Sequence, residues 1–242
     1  MCGRYTLAAP DPAQVRARFP IGETVEVRQR FNIAPGDDVL AVTTDRDGAP
    51  RGELLRWGLV PHWAQQPVSP AKMINARAET LQEKPAYRDA FARFRCLIPA
   101  DGFYEWGPNP GGGPRPHKQA FHITTSDGEP FAFAGLWSIW RGQDVELRSC
   151  TIITTSANPA VAPLHDRMPV ILEPGAEAAW LDPSTSRAQL AELLRPLAAE
   201  LTATRPVGPA VNDARYDGPE CLAEPIVGPV PAASGDAQAT LF

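Results

Sequence analysis

Lysine is almost missing from this chain. Lys72, Lys84 and Lys118 are the exceptions among 23 basic residues, the rest being arginine. A guanidinium suits planar, two-pronged phosphate contacts better than an ammonium does, although a GC-rich genome enriches arginine for its own reasons. Cysteine is also sparse. The four thiols, Cys2, Cys96, Cys150 and Cys221, include no CxxC pair, which excludes a local metal knuckle or dithiol redox motif; in a reducing cytosol they are expected as free thiols. His62, His117, His122 and His165 lack the spacing of a metal-ligand set, so neither zinc nor any other metal is expected. No apolar run reaches the roughly 20 residues of a membrane span, and the opening residues carry no long apolar stretch of the signal-peptide kind. A soluble, cytoplasmic protein without membrane contact is expected. The net charge of −5 argues against a generally basic nucleic-acid binder, but the whole acidic excess lies after residue 170. The part before it is nearly balanced.

Proline (27) and glycine (19) are plentiful, which points to many turns and extended segments rather than a helical bundle. Runs at 2–8, 39–44, 53–60, 95–99, 103–106, 119–125, 131–140 and 146–155 read as strands. Asp47-Gly48 and Asp127-Gly128 mark two hairpin turns. Helices are expected over 12–19, behind the cap Asp11, over 85–94, where Tyr87, Phe91 and Phe94 recur at helical spacing, and over about 186–200, interrupted or ended near Pro196. Residues 107–116 form a glycine- and proline-rich loop. No βαβ rhythm is present. The pattern implies an α+β fold, a single compact domain over 2–227 with a mostly antiparallel, curved or barrel-like β core and several short peripheral helices. Residues 228–242 are expected to be a disordered tail.

Cys2 is the most informative position. A small second residue favours removal of Met1, which leaves a terminal cysteine carrying an α-amine and a thiol on adjacent carbons. Their ordinary pKa values are about 8 and 8.5, so part of the amine is nucleophilic near neutral pH. An aldehyde can condense with that amine, and the thiol can then close a five-membered thiazolidine. No internal cysteine can do this; Cys96 and Cys150, in apolar strands, read as core. Three further segments carry polar groups. Asn75 has an amide able to hold an amine, with Arg77 on the same side of an extended chain. Glu105 lies between Tyr104 and Trp106, and aromatic surroundings raise a carboxyl pKa into the acid–base range. The stretch 154–170 offers Thr154, Thr155, Ser156 and Asn158 as phosphate donors or turn caps, then His165-Asp166-Arg167. The other three histidines read as structural or exposed. Aromatics interleave with arginine at Arg56-Trp57 and around Trp63, Arg77 and Tyr87, as in a stacking groove for single-stranded nucleic acid; by the residues alone, Trp57 and Trp137 suit an ordinary core better.

Taken together, the segments MCGRYTL (1–7), FNIAPG (31–36), RWGLVPHWA (56–64), INARAET (74–80), RCLIPADGFYEW (95–106), FAGLW (133–137), TIITTSAN (151–158), LHDRMPVIL (164–172) and AVNDARYDGPECLAEP (210–225) resemble the SRAP (SOS response-associated peptidase) family, which includes bacterial abasic-site shield proteins. The resemblance covers nearly the whole chain apart from the 107–116 loop and the tail. It implies that Cys2 forms a thiazolidine crosslink with the open aldehyde of an abasic site in single-stranded DNA. It further implies that Asn75 positions the Cys2 amine, Glu105 acts as acid–base group and His165 assists proton transfer. Arg4, Arg77 and Arg167 would grip phosphates, with Trp57 and Trp63 shaping the cleft and Thr154 and Ser156 lining it. Such a protein needs no cofactor and is expected to work as a monomer. A cysteine hydrolase built on Cys2, His165 and a carboxylate, and a non-covalent binder of single-stranded DNA, remain as alternatives.

Overall fold

The computed structural model describes residues 2–8, 11–23, 25–67, 69–108 and 118–225. The domain end at 227, the tail 228–242, His117 and most of the 107–116 loop lie outside the described residues. The strands, in chain order, are β1 (Tyr5–Leu7), β2 (Arg30–Ile33), β3 (Asp38–Thr44), β4 (Pro50–Trp57), β5 (Asn75–Arg77), β6 (Arg95–Ala100), β7 (Gly102–Gly107), β8 (Gln119–Thr125), β9 (Phe131–Arg141), β10 (Glu146–Ser156), β11 (Arg167–Pro169), β12 (Ile171–Leu172) and β13 (Thr202–Pro206). Four short helices accompany them: α1 (Pro12–Arg18), α2 (Pro85–Arg93), α3 (Pro174–Leu181) and α4 (Arg187–Glu192).

Strands β10, β4, β3, β6 and β9 close on themselves, because β10 pairs with both β4 and β9. The closed ring has no free edges of its own, and its one parallel seam is β4–β10, with Cys150 opposite Trp57. The β3–β4 hairpin is in register from Asp38↔Arg56 to Thr44↔Pro50 around the Asp47-Gly48 turn, where Gly48 takes φ +83°. A second, antiparallel sheet runs β13-β8-β7-β1-β2. It is joined to the barrel by an edge-on aromatic cluster: Tyr5 meets Trp57 at 5.3 Å and Phe133 at 5.6 Å between ring centroids. Cys96 and Cys150 are fully buried here, as their apolar surroundings require.

The local chemistry accounts for the helices. Asp11 caps α1 by accepting from Ala13 N (2.8 Å), and Ser186 with Gln189 forms a capping box on α4. The α4 helix is shorter than the sequence pattern implies. It ends at Glu192, four residues before Pro196, whose ring would strike that carbonyl. Arg95, only 4% exposed, ties the helices to the barrel. Its guanidinium donates to the carbonyls of Phe91, Ala92, Trp180 and Asp182, at the C-terminal ends of α2 and α3.

His122 on β8 is structural. A Cβ on Gly102 would lie 2.1 Å from its Nε2, so only glycine lets the strands approach here. His122 Nε2 stands 3.1 Å from Thr6 Oγ1, which donates in turn to Asp101 Oδ1 at 2.5 Å. Burial pushes the imidazole down to about 3. The unfolded chain protonates this histidine near its ordinary value, whereas the folded chain resists doing so until about pH 3. Below about pH 6.5 the unfolded state therefore binds the extra proton, and stability falls with pH by up to roughly 1.4 kcal/mol per unit from this group. Urea melts of wild type and His122→Gln between pH 7 and pH 4 should show a flatter acid decline in the variant; parallel declines would refute the assignment.

Candidate active site

The site forms where the start of the chain crosses the end of the barrel. Tyr104 N–H donates to Arg4 O (3.0 Å), which continues the β1–β7 ladder one residue toward the terminus. That register lays Glu105 beside the Cys2–Gly3 stretch. Cys2 is fully buried, its Sγ 3.7 Å from Arg4 O. Asn75 reaches the same stretch from the other side, donating Nδ2–H to Cys2 O at 2.8 Å.

Asn75 is held by its strand. β5 runs parallel to β10, with Ile152 opposite Asn75 and Thr154 opposite Arg77. The carbonyl of Ile74 accepts from both Ile152 N (3.0 Å) and Trp57 Nε1 (2.9 Å), and Tyr87 OH donates to Asn75 O (3.3 Å). Alternation then buries Ala76 and turns Asn75 and Arg77 to the same face. Asn75 Oδ1 is shielded from solvent and accepts no hydrogen bond from a described residue.

Glu105 is 4% exposed. Burial pushes its carboxyl above the ordinary carboxylate range, opposed by neighbouring positive charge that includes His165 and Lys118. The direction agrees with the sequence reading, but the cause differs. Tyr104 and Trp106 pack against each other with tilted rings, 6.5 Å between centroids, and alternation along β7 puts them on the face opposite Glu105. Burial, with the Glu105 charge second, also pushes the Cys2 thiol up; it is a thiol, not a thiolate, in this setting.

His165 arrives on a compact loop. Asn158 Oδ1 accepts from Ala160 N and Val161 N, its Nδ2 donates to Leu197 O and Thr202 Oγ1 at 2.8 Å, and Ala157 N to Asp166 O (3.0 Å) closes the base. The loop packs onto the end of β7, where a Cβ on Gly107 would meet Leu164 Cδ2 at 2.5 Å. That close approach brings His165 near enough for its charge to act on Glu105. Its Nδ1 stands 2.9 Å from Arg167 N and 2.8 Å from Asp166 Oδ1. The ring can satisfy one of these at a time: a neutral Nδ1 accepts from the backbone, a protonated Nδ1 donates to the carboxylate.

The structure therefore brings Cys2, Asn75, Glu105 and His165 to one place. The residues expected to contact a strand divide. Arg77, Ser156 and Trp63 are exposed, Trp63 by 57%. Trp63 sits on the loop that leaves β4 and returns at Met73, pinned by Trp140 Nε1 to Ala64 O (2.7 Å). Arg4 is half-buried, with Nη1 bonded to Asn32 Oδ1 (3.0 Å) and Val211 O (2.9 Å). Arg167 is engaged by Glu79 and Thr154 O. Two expectations need correction. Trp57 is fully buried between Tyr5 and Ile74 and offers no ring face to a base; it holds the strand that carries Asn75. Thr154 is fully buried too, with its hydroxyl near Ala76 O (3.5 Å). Asn158 is a turn cap, not a phosphate donor. Sequence reasoning passed over Lys118, whose charge reaches Glu105, and Glu79. Lys118 could have been found as one of three lysines in an arginine-rich chain; Glu79 carried no signal beyond its place in INARAET.

Among the described residues no group of histidine, cysteine and acidic side chains is disposed to hold a metal ion. Among the described residues no helix is long and apolar enough to cross a membrane.

Comparison with known proteins gives a consistent picture. Residues 1–214 match the family described as SOS response associated peptidase (SRAP). The chain is 40% identical over 229 residues to the abasic site processing protein YoaM of Bacillus subtilis, covering 92% of this chain and 97% of that one. It is 37% identical over 207 residues to the abasic site processing protein HMCES of Gallus gallus, covering 75% of this chain and 60% of that one. A crystal structure of a protein from Bacteroides thetaiotaomicron has the same fold, with a TM-score of 0.81 at 24% identity over 92% of this chain and 99% of that one. A phage-related protein from Bordetella bronchiseptica superposes with a TM-score of 0.69 at 31% identity, covering 89% and 99%.

Proposed function

The chain belongs to the SOS response-associated peptidase family, and we propose that it processes abasic sites in single-stranded DNA by forming a covalent bond through Cys2 once Met1 has been removed. Its relatives named abasic site processing proteins support the substrate. The observation that carries the chemistry is the convergence on Cys2: the amide of Asn75 on its carbonyl at 2.8 Å and the buried carboxyl of Glu105 alongside.

The freed amine of Cys2 adds to the open-chain aldehyde of the abasic sugar to give a carbinolamine. Loss of water from it forms an imine. Glu105, whose carboxyl burial pushes above the ordinary carboxylate range, supplies the proton that lets hydroxide leave as water. The Cys2 thiol then adds across the C=N bond. Carbon gains sulfur, nitrogen gains the thiol proton, and the five-membered ring closes. One water is released overall and no oxidant is needed. The sulfur gives up its proton as it adds, and that proton ends on the ring nitrogen. Asn75 keeps the Cys2 backbone in the orientation that presents the amine, and His165 relays protons between Glu105 and solvent. Arg77, Ser156 and Trp63 form the rim that receives the strand, with Arg167 and Arg4 behind it.

The cysteine hydrolase reading is disfavoured by one feature. A hydrolytic cysteine is activated by an imidazole that lowers its pKa, whereas here the thiol is pushed up and its hydrogen-bond partner is Arg4 O. A denaturing gel separates covalent from reversible binding. Incubation with an abasic single strand is expected to give a shifted band that survives denaturation, and an intact strand of the same sequence none. Reversible binding alone would point to the non-covalent module instead.

A further inference from the structure

Glu79 stands in the single-turn 3-10 helix Ala78–Thr80, two residues after Arg77. Its carboxylate takes both arms of Arg167, Nη1 on Oε1 at 2.6 Å and Nη2 on Oε2 at 2.9 Å. Arg167 Nη2 also donates to Thr154 O at 2.6 Å, which fixes the fork against the sheet. The Arg167 side chain is 14% exposed and that of Glu79 53%. The guanidinium is thus seated in the protein while its carboxylate partner lies open to solvent, on the rim that carries Arg77 and Ser156. Two acceptor oxygens set side by side before a guanidinium fork are also what a phosphodiester presents. Hydrogen bonding from Arg167 holds the Glu79 carboxyl below its ordinary range, so it is an anion at neutral pH.

We propose that Glu79 occupies the seat of a backbone phosphate, holding the Arg167 fork formed while the cleft is empty and giving it up to a DNA phosphodiester when a strand enters. This rests on reading the cleft as a single-stranded DNA site. Arg167 meets the strand already neutralised, so exchanging one anion for another adds no net charge contact. The displaced carboxylate then faces the strand. Glu79 therefore weakens the hold on any strand. An intact strand, held only reversibly, feels this fully. An abasic strand, held by a covalent bond, does not depend on it. A carboxylate that merely braced Arg167 would have the opposite effect, since its loss would disorder the fork and weaken binding.

The test is equilibrium binding of a fluorescent oligothymidine with intact bases, over a salt series, to wild type, Glu79→Gln and Glu79→Ala. Both variants are expected to bind about 3- to 10-fold tighter at low salt. Their log–log salt dependence should steepen by about 0.7, the increment of one added phosphate contact on a single strand. In an Arg167→Gln background the gain from Glu79→Gln should vanish. A gain that persists there would be a general charge effect and would overturn the exchange. Weaker or unchanged binding by the Glu79 variants, with wild type binding normally, would also overturn it while leaving the cleft reading intact. Failure of all the proteins to bind would overturn both. The Glu79–Arg167 pair is partly exposed and contributes little to stability, so the variants should stay folded, which thermal melts can verify.

Discussion

Cys2→Ala is expected to abolish the denaturation-resistant adduct with abasic single-stranded DNA under conditions where wild type reacts nearly to completion. Alanine at position 2 still permits Met1 removal and keeps an α-amine, so the first condensation remains possible. Without sulfur the imine cannot close into a ring, and water reverses it when the complex is denatured. Cys2→Ser should leave at best a weak imine. The fold should survive, because Cys2 contributes one small buried side chain, and losing its sulfur opens a cavity costing on the order of 1 kcal/mol. Blocking the amine should be as damaging as removing the thiol. A version with an N-terminal extension ahead of Cys2 should melt like wild type and form no adduct. If Cys2→Ala crosslinked as well as wild type, the reactive unit would lie elsewhere.

The second large effect is expected at Glu105. Glu105→Gln preserves shape and some hydrogen bonding but cannot deliver a proton. The crosslinking rate should fall by roughly 10²- to 10⁴-fold, the usual worth of a positioned acid–base group. Affinity for an intact strand should change little, because Glu105 is buried beneath the rim. The pH profile gives an independent reading. Amine deprotonation makes the wild-type rate rise with pH. Loss of the Glu105 proton makes it fall again above the carboxyl's raised pKa, since the acid form is the active one. The falling limb should be missing from Glu105→Gln. Equal losses in rate and affinity, or an unchanged limb, would remove Glu105 from the proton-transfer role.

These residues differ in how visible they were before the fold was known. Patterning located β3, β6 to β10, α1 and α2 to within about a residue at each end, because each alternates or repeats cleanly and is bounded by glycine, proline or a capping aspartate; β4 was expected over 53–60 and runs three residues earlier, over Pro50–Trp57. It did not reveal β2, β5, β11, β12, β13 or the parallel β4–β10 seam. Strands of two to five residues have too few positions to show a period, and a seam between distant segments leaves no local trace. α3, behind Pro174, also went unseen. Cys2 was legible because its chemistry depends only on its position in the chain. Asn75 and Arg77 were placed on one face by alternation alone. Glu105 was singled out for an incomplete reason: the aromatic neighbours in sequence lie across the strand from it, and burial raises its carboxyl as they were credited with doing. Trp57 and Thr154 show the converse. Tryptophan and threonine suit a nucleic-acid groove by type, but both sit where β-sheet pairing directs them inward. Glu79 could not be singled out, since its meaning comes from Arg167, 88 residues away in the chain.

The most direct measurement is intact mass spectrometry of the protein alone and after incubation with an abasic oligonucleotide, with and without borohydride. The protein alone should lack the mass of Met1. The complex should weigh the sum of that species and the oligonucleotide less one water, unchanged by borohydride because a closed thiazolidine has no C=N bond to reduce, and fragmentation should place the bond on Cys2. An adduct formed with Met1 still in place, or one attached at another residue, would contradict the role given to the terminal cysteine.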